Sequence, residues 1–197
     1  MQNKTKKIAQ YSANGLAASA ILPMACKKET KEADDPNIVH RDLNKTFTLS
    51  AITSVDSIDV NLDGLHELLF VGLSNASASI TYLATKPDIA SLFCDTTSIS
   101  SLKLTNASDA GFTPLAIPST QWNQFSVLDV DISSPSLTTT KGPAGKGDKY
   151  VSFVFKNGLK PFYGWLRVNV SADHKTVLIK DLAYSVLPET LVKTGSK

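Results

Sequence analysis

Between Asp59 and Glu67 the chain reads Asp-Val-Asn-Leu-Asp-Gly-Leu-His-Glu. Oxygen-bearing side chains fall at every second position, Asp59, Asn61 and Asp63, followed by Gly64 and then by Glu67. A hard cation such as calcium takes about six to eight oxygen ligands at roughly 2.3–2.6 Å. Alternate spacing lets a loop wrap such an ion with its oxygens turned inward. On that reading Asp59, Asn61 and Asp63 offer side-chain oxygens, Leu65 offers its carbonyl, and Glu67 completes the set directly or through water. Gly64 stands where the chain has to turn sharply. The same residue types also make an ordinary polar turn, so a calcium loop and a bare turn are both open. We expect one structural calcium ion, held on the order of 10⁻⁴–10⁻³ M as in extracellular modules.

The loop is not an EF-hand. Phe70 stands where the bidentate glutamate of that motif would be, and no amphipathic helix pattern flanks the loop. The apolar run Leu68-Leu69-Phe70-Val71 follows instead. The segment resembles the D-x-[DN]-x-D-G-x-x-[DE] loop of FG-GAP-type and related calcium-binding extracellular β-proteins, with Glu67 in place of the commoner Asp. The resemblance implies a strand directly after the loop. Only one such loop occurs and no internal repeat accompanies it, which argues against a propeller.

Other chemistry is sparse. Phe162, Tyr163, Trp165 and Tyr184 form an aromatic cluster in sequence. Tyr163, Trp165 and Tyr184 could make a stacking platform for a glycan, or they could fill the core, where aromatics contribute most area. His40, His66 and His174 are not spaced with other ligands as a zinc site requires. There is no G-x-S-x-G nucleophile elbow. Asp129 and Asp131 fall on one face of a strand, which is weak evidence for glycoside hydrolysis. The glycine- and lysine-rich stretch Lys141 to Lys149 lacks P-loop spacing and reads as a flexible hairpin connection. No catalytic residue is assigned.

The N-terminus reads as an address. Lys4, Lys6 and Lys7 precede an apolar, alanine-rich run that ends at Cys26. That order is a secretory signal, with an apolar run too short to span a membrane. Leu22-Pro23-Met24-Ala25-Cys26 resembles a bacterial lipoprotein signal. The resemblance implies cleavage after residue 25 and lipidation of Cys26, anchoring the chain to a membrane. Residues 26–42 then form a charged tether too poor in large apolar side chains to fold alone. Its opening Lys27-Lys28-Glu29 resembles the charged export signals of Bacteroidetes surface lipoproteins, which implies an outer-membrane and surface location. The one other cysteine, Cys94, is read as a small buried hydrophobe.

The remaining stretch, residues 43–197, is long enough for one domain with its own core. Of the whole 197-residue chain, 42 % is hydrophobic and 19 % charged, and the net charge of +2 gives no basis for nucleic-acid binding. Thr46 to Ala51, Ser79 to Leu83, and Gly164 to Val170 alternate as half-buried strands do. Leu68 to Leu73 reads as a strand buried on both faces, Ile99 to Thr105 as one strand, and Asp88 to Phe93 as a short helical turn. The skip at Leu128-Asp129 marks a bulge, and Asn157-Gly158 a tight turn. Short strands with turn-rich links point to an all-β, antiparallel β-sandwich, jelly-roll-like, in a single domain. Tyr163-Gly164-Trp165-Leu166-Arg167-Val168, with Lys180-Asp181-Leu182-Ala183-Tyr184, resembles the "YGW…AY" ending of some bacterial extracellular β-domains. The expected function is a cell-envelope binding or structural module, its partner a glycan or a surface protein. An extracellular carbohydrate-active enzyme and a subunit of a surface complex are the alternatives.

Overall fold

The computed structural model describes residues 35–197. The signal segment, Cys26 and the first part of the tether lie outside the described residues. Thirteen strands carry the fold: β1 (Ile38–Thr48), β2 (Ser54–Ile58), β3 (Leu68–Ser74), β4 (Ala78–Thr85), β5 (Ala90–Ile99), β6 (Leu102–Thr105), β7 (Ala107–Ser108), β8 (Trp122–Asn123), β9 (Phe125–Ser134), β10 (Leu137–Lys141), β11 (Asp148–Asn157), β12 (Lys160–Val170) and β13 (Thr176–Ser185). No helix forms among the described residues. The expected all-β class is therefore met. The strands build one large mixed sheet, nearly closed into a barrel, in the order β1-β13-β12-β11-β5-β6-β9-β4-β3-β2. β10 pairs with β9, β7 with β11, and β8 with β5. The β6–β9 contact is parallel.

The core comes from period-two alternation. In β3 it buries Leu68 and Phe70, and in β4 Leu83. From the other side, β11, β12 and β13 bring Val151, Phe153, Leu166, Val168, Val177 and Ile179 into the same cluster. Each such side chain contributes about 1.5–3 kcal/mol of burial. Gly164 makes room for this packing. It faces Phe153 across β11 and β12, and a Cβ there would lie 2.6 Å from the Phe153 ring and 2.5 Å from the Ala183 carbonyl oxygen.

The two ends of the strand order face each other. Phe47 of β1 packs on Phe70 of β3 with ring centroids 5.7 Å apart. Lys45 of β1 bonds the Asp56 carboxylate and the Ser57 carbonyl of β2. Arg41 of β1 donates to the carbonyls of Asp59, at 2.6 Å, and Val60, at 3.2 Å. The barrel is thus laced shut between β1 and β2 by side chains.

Several local expectations are corrected. β1 begins at Ile38, so the folded body starts inside the stretch read as tether. His40 is a strand residue, not a tether residue. Its charged neighbours looked unfoldable because their partners lie far away in sequence. Leu68 to Leu73 buries one face only, with Leu69 and Val71 half-exposed. The helical reading of Asp88 to Phe93 gives way to a single turn at Lys86–Ala90, followed by β5. Ile99 to Thr105 is broken at Ser100 and Ser101, both at positive φ, into the β5–β6 hairpin. Lys141 to Lys149 is not a hairpin: it links β10, which pairs with β9, to β11, which does not pair with β10. The bulge at Leu128 is present, because Thr81 faces Asp129 while Tyr82 faces Val127. Cys94 is fully buried, and burial pushes its thiol above the usual range.

Candidate cation loop and adjoining cleft

The loop between β2 and β3 is held from three sides. Arg41 grips the carbonyls at its start. Val60, 1 % exposed, anchors it in the core. The Val60 amide donates to Glu67 Oε2 at 2.7 Å, joining the loop's two ends. Leu62 and Gly64 take positive φ of 63° and 88°, the sharp reversal for which a glycine suits the second position.

Within this frame the acidic side chains converge. One oxygen each of Asp59, Asp63 and Glu67 lies within 4.8 Å of the other two. Asp59 accepts from the Leu62 amide at 2.6 Å and the Gly64 amide at 2.8 Å. Asp63 accepts from the Leu65 amide at 2.8 Å and from the Asn61 carboxamide at 3.0 Å. Asn61 Oδ1 in turn accepts from the Asp63 amide at 3.1 Å. Leu65 enters the loop's hydrogen bonding through its amide and leaves an exposed side chain. A carboxylate oxygen has more than one lone pair, so these bonds fix orientation and leave acceptor capacity over. All the donors are hard oxygens, the class calcium takes.

Electrostatics set Asp63 and Glu67 apart. The Leu65 amide, then Asn61, hold Asp63 below the usual carboxylate value. Glu67 is only 1 % exposed, and burial pushes its carboxyl up, with Asp63 and Asp59 adding to the rise against the Val60 hydrogen bond. A buried carboxyl beside two others of like charge is the one that gains most from a cation.

The aromatic platform does not form as a unit. Gly164 pairs with Tyr184, whereas Trp165 pairs with Ala183, so Tyr184 projects from the face opposite to that of Tyr163 and Trp165. Tyr163 and Trp165 are buried. Trp165 donates Nε1–H to the Ser196 carbonyl at 3.2 Å and packs with Val192 of the C-terminal segment. Tyr163 accepts the Ile117 amide on its hydroxyl at 3.0 Å. These two are packing residues.

Tyr184 instead belongs to a cleft beside the loop, with a volume of about 510 Å³ and walls that include Asn61, Asp63, Phe155, Asn157, Phe162 and Tyr184. The Phe155 and Phe162 rings stack at 5.5 Å, and Tyr184 meets Phe155 edge-on at 5.3 Å. Burial raises the Tyr184 phenol, opposed by Arg41 and reinforced by Glu67 and Asp59. The cleft's signal in the sequence was the Asn157-Gly158 turn: a tight hairpin there sets Phe155 opposite Phe162.

The remaining titratable clusters are internally compensated. Asp181, fully buried, receives Arg167 Nε and Nη2 at 2.7 Å each and faces His40 Nε2 at 2.9 Å. Burial works to raise its carboxyl, but Arg167 and His40 bring it below the usual range. His40, Asp42 and Asp181 are close enough to group around an ion. However, Arg167 and Lys197 already supply the positive charge there. Asp129, 1 % exposed, meets His174 Nδ1 at 2.6 Å and the Ala144 amide at 3.1 Å, while Asp131 takes the Thr140 hydroxyl at 2.7 Å.

Comparison with protein-family models, with curated proteins and with solved structures finds no match to the chain. The residues and their geometry alone carry the functional reading.

Proposed function

We propose that this protein is a lipid-anchored module of the bacterial cell envelope that binds a partner at its surface and is stabilised by one calcium ion in the Asp59–Glu67 loop. The observation that carries the calcium reading is the convergence of Asp59, Asp63 and the buried Glu67 within 4.8 Å. Asn61 and the Leu65 carbonyl complete the proposed ligand set. The ion would offset the repulsion among three carboxylates and fix the loop against β3.

The anchor rests on the basic start, the apolar run and Cys26. Acylation of that cysteine by more than one chain gives stable attachment, at about 0.8 kcal/mol per buried methylene. The charged residues after it favour the outer membrane and its outer face. We also read the near-barrel as flattened, with β11 to β13 facing β3 and β4 across a shared core, which is a sandwich-like arrangement.

Calorimetric titration of the full-length chain with calcium chloride tests the loop. The expected result is one site in the range 10⁻⁴–10⁻³ M, absent in Asp63→Asn. A flat titration defeats the calcium reading. Membrane partitioning of Cys26→Ser tests the anchor: a variant that still fractionates with membranes defeats it.

A further inference from the structure

We propose that the cleft between the loop and the aromatic end of the β11–β12 hairpin binds carbohydrate, and that this is the ligand of the binding module described above. The proposal rests on that reading and adds the chemical class and the place. A volume of about 510 Å³ falls within the range of small-molecule sites, roughly 300–1,000 Å³. The two sides of the cleft differ in kind. Phe155 forms an apolar floor, with Phe162 and Tyr184 half-buried beside it. Asn61, Asp63 and Asn157 supply a carboxylate and two carboxamides.

A sugar ring has matching anatomy. Its C–H face lies against an aromatic ring, and its rim of hydroxyls both donates and accepts, which suits carboxamides that do the same. Other ligand classes fit less well. A purely apolar ligand would strip water from Asp63, Asn61 and Asn157 without replacing their hydrogen bonds. With the loop free of metal, a phosphate or sulfate ester would meet the like charge of Asp63, with Asp59 close behind it. A cationic peptide side chain suits the carboxylate only while no metal ion neutralises it, and is the rival to be separated by experiment. Of the aromatics nominated from sequence, Tyr184 lines the cleft, whereas Trp165 and Tyr163 take no part because they are buried.

The full-length chain is applied to an array of bacterial, plant and animal oligosaccharides, with calcium chloride and again with EDTA, and the bound glycans are titrated by calorimetry. A lysine-rich peptide is titrated alongside. The variants are Asn157→Ala, at an exposed turn position, Phe162→Ala and Tyr184→Ala, with Trp165→Phe as the control. We expect array binding that falls roughly tenfold or more in the three cleft variants and persists in Trp165→Phe. Asn157→Ala should keep the wild-type melting temperature, so its loss of binding is not loss of fold. An array without binders, binding indifferent to all three cleft variants, or binding of the lysine peptide alone would overturn the proposal. A calcium-dependent melting shift with an empty array overturns the cleft and leaves the loop reading standing. Glycan binding that is lost in Asn157→Ala, in a protein that calcium does not stabilise, sustains the cleft and removes the calcium.

Discussion

Glu67→Gln isolates the charge at the centre of the loop. Glutamine keeps an acceptor for the Val60 amide, now bonded at 2.7 Å, and nearly the same volume at a site only 1 % exposed. The ion-free fold should therefore lose little. Because burial raises the Glu67 carboxyl, its charge destabilises the ion-free fold. That contribution is absent below the ordinary carboxylate range and sets in as pH rises through the raised value, so the ion-free variant should melt at or above the wild type at neutral pH. The calcium response should behave oppositely. With a dissociation constant on the order of 10⁻⁴–10⁻³ M, about 10 mM calcium is roughly 10–100 times that constant and adds about 1.4–2.7 kcal/mol. At about 2–4 °C per kcal/mol for a domain of this size, the melting temperature rises by about 3–11 °C. Glu67→Gln should lose most of that rise. Scanning calorimetry with calcium and with EDTA, at neutral and at mildly acid pH, measures all of this, with the wild-type shift shrinking as acid protonates Glu67. A wild type unmoved by calcium, or a variant that keeps the full shift at both pH values, would refute the reasoning.

Three further outcomes follow from the scaffold. Asp181→Asn removes one partner of a buried ion pair and should cost about 3 kcal/mol, or a melting temperature lower by about 6–12 °C; because the Asp181 carboxyl is held below its usual range, this stability is present above that range and lost as pH falls through the depressed value, so the variant should show a flatter acid limb in pH-dependent denaturation. Gly142→Ala should destabilise by roughly 2–4 kcal/mol in urea titration, since its Cβ at φ 122° would run into the Asp129 carboxylate and lie 2.8 Å from the Leu128 carbonyl oxygen, whereas Gly147→Ala, with open space around it, should cost only about 1–2 kcal/mol. Thr194→Ala should cost about 1–3 kcal/mol and speed amide exchange at Phe112, because the Thr194 hydroxyl accepts that amide at 3.0 Å and donates to the Asp109 carbonyl at 2.8 Å.

Much of the fold was legible in the residues. Alternation located β4 and β12, the Asn157-Gly158 signal located the turn of the β11–β12 hairpin, and the broken period at Leu128 located the bulge in β9, because one buried face imposes a period that survives without knowledge of partners. The alternation read from Thr46 to Ala51 caught only the end of β1, which stops at Thr48, and its start escaped because His40, Arg41, Asp42 and Lys45 look solvated until Asp181, Asp56 and the loop carbonyls are placed beside them. β5 escaped because Leu92, Phe93 and Cys94 are buried in succession and show no alternation. The loop was legible as a possible oxygen cage because its oxygen-bearing residues fall at alternate positions of one short segment. The cleft was not, since it joins residues of that loop to a hairpin and to β13, and only register tells Tyr184 from Trp165. Gly164 opposite Tyr184 is a long-range fact that no local pattern encodes.

The lacing of β1 to β2 has a consequence for life among other proteins. A strand border with free amides and carbonyls invites a stranger's strand to zip on. Here two such borders confront one another, with Lys45 occupying the Ser57 carbonyl of β2 and Arg41 the two carbonyls just past its end. Cutting either cation should therefore be felt first as stickiness, in concentration-dependent self-association on standing, before any loss of shape.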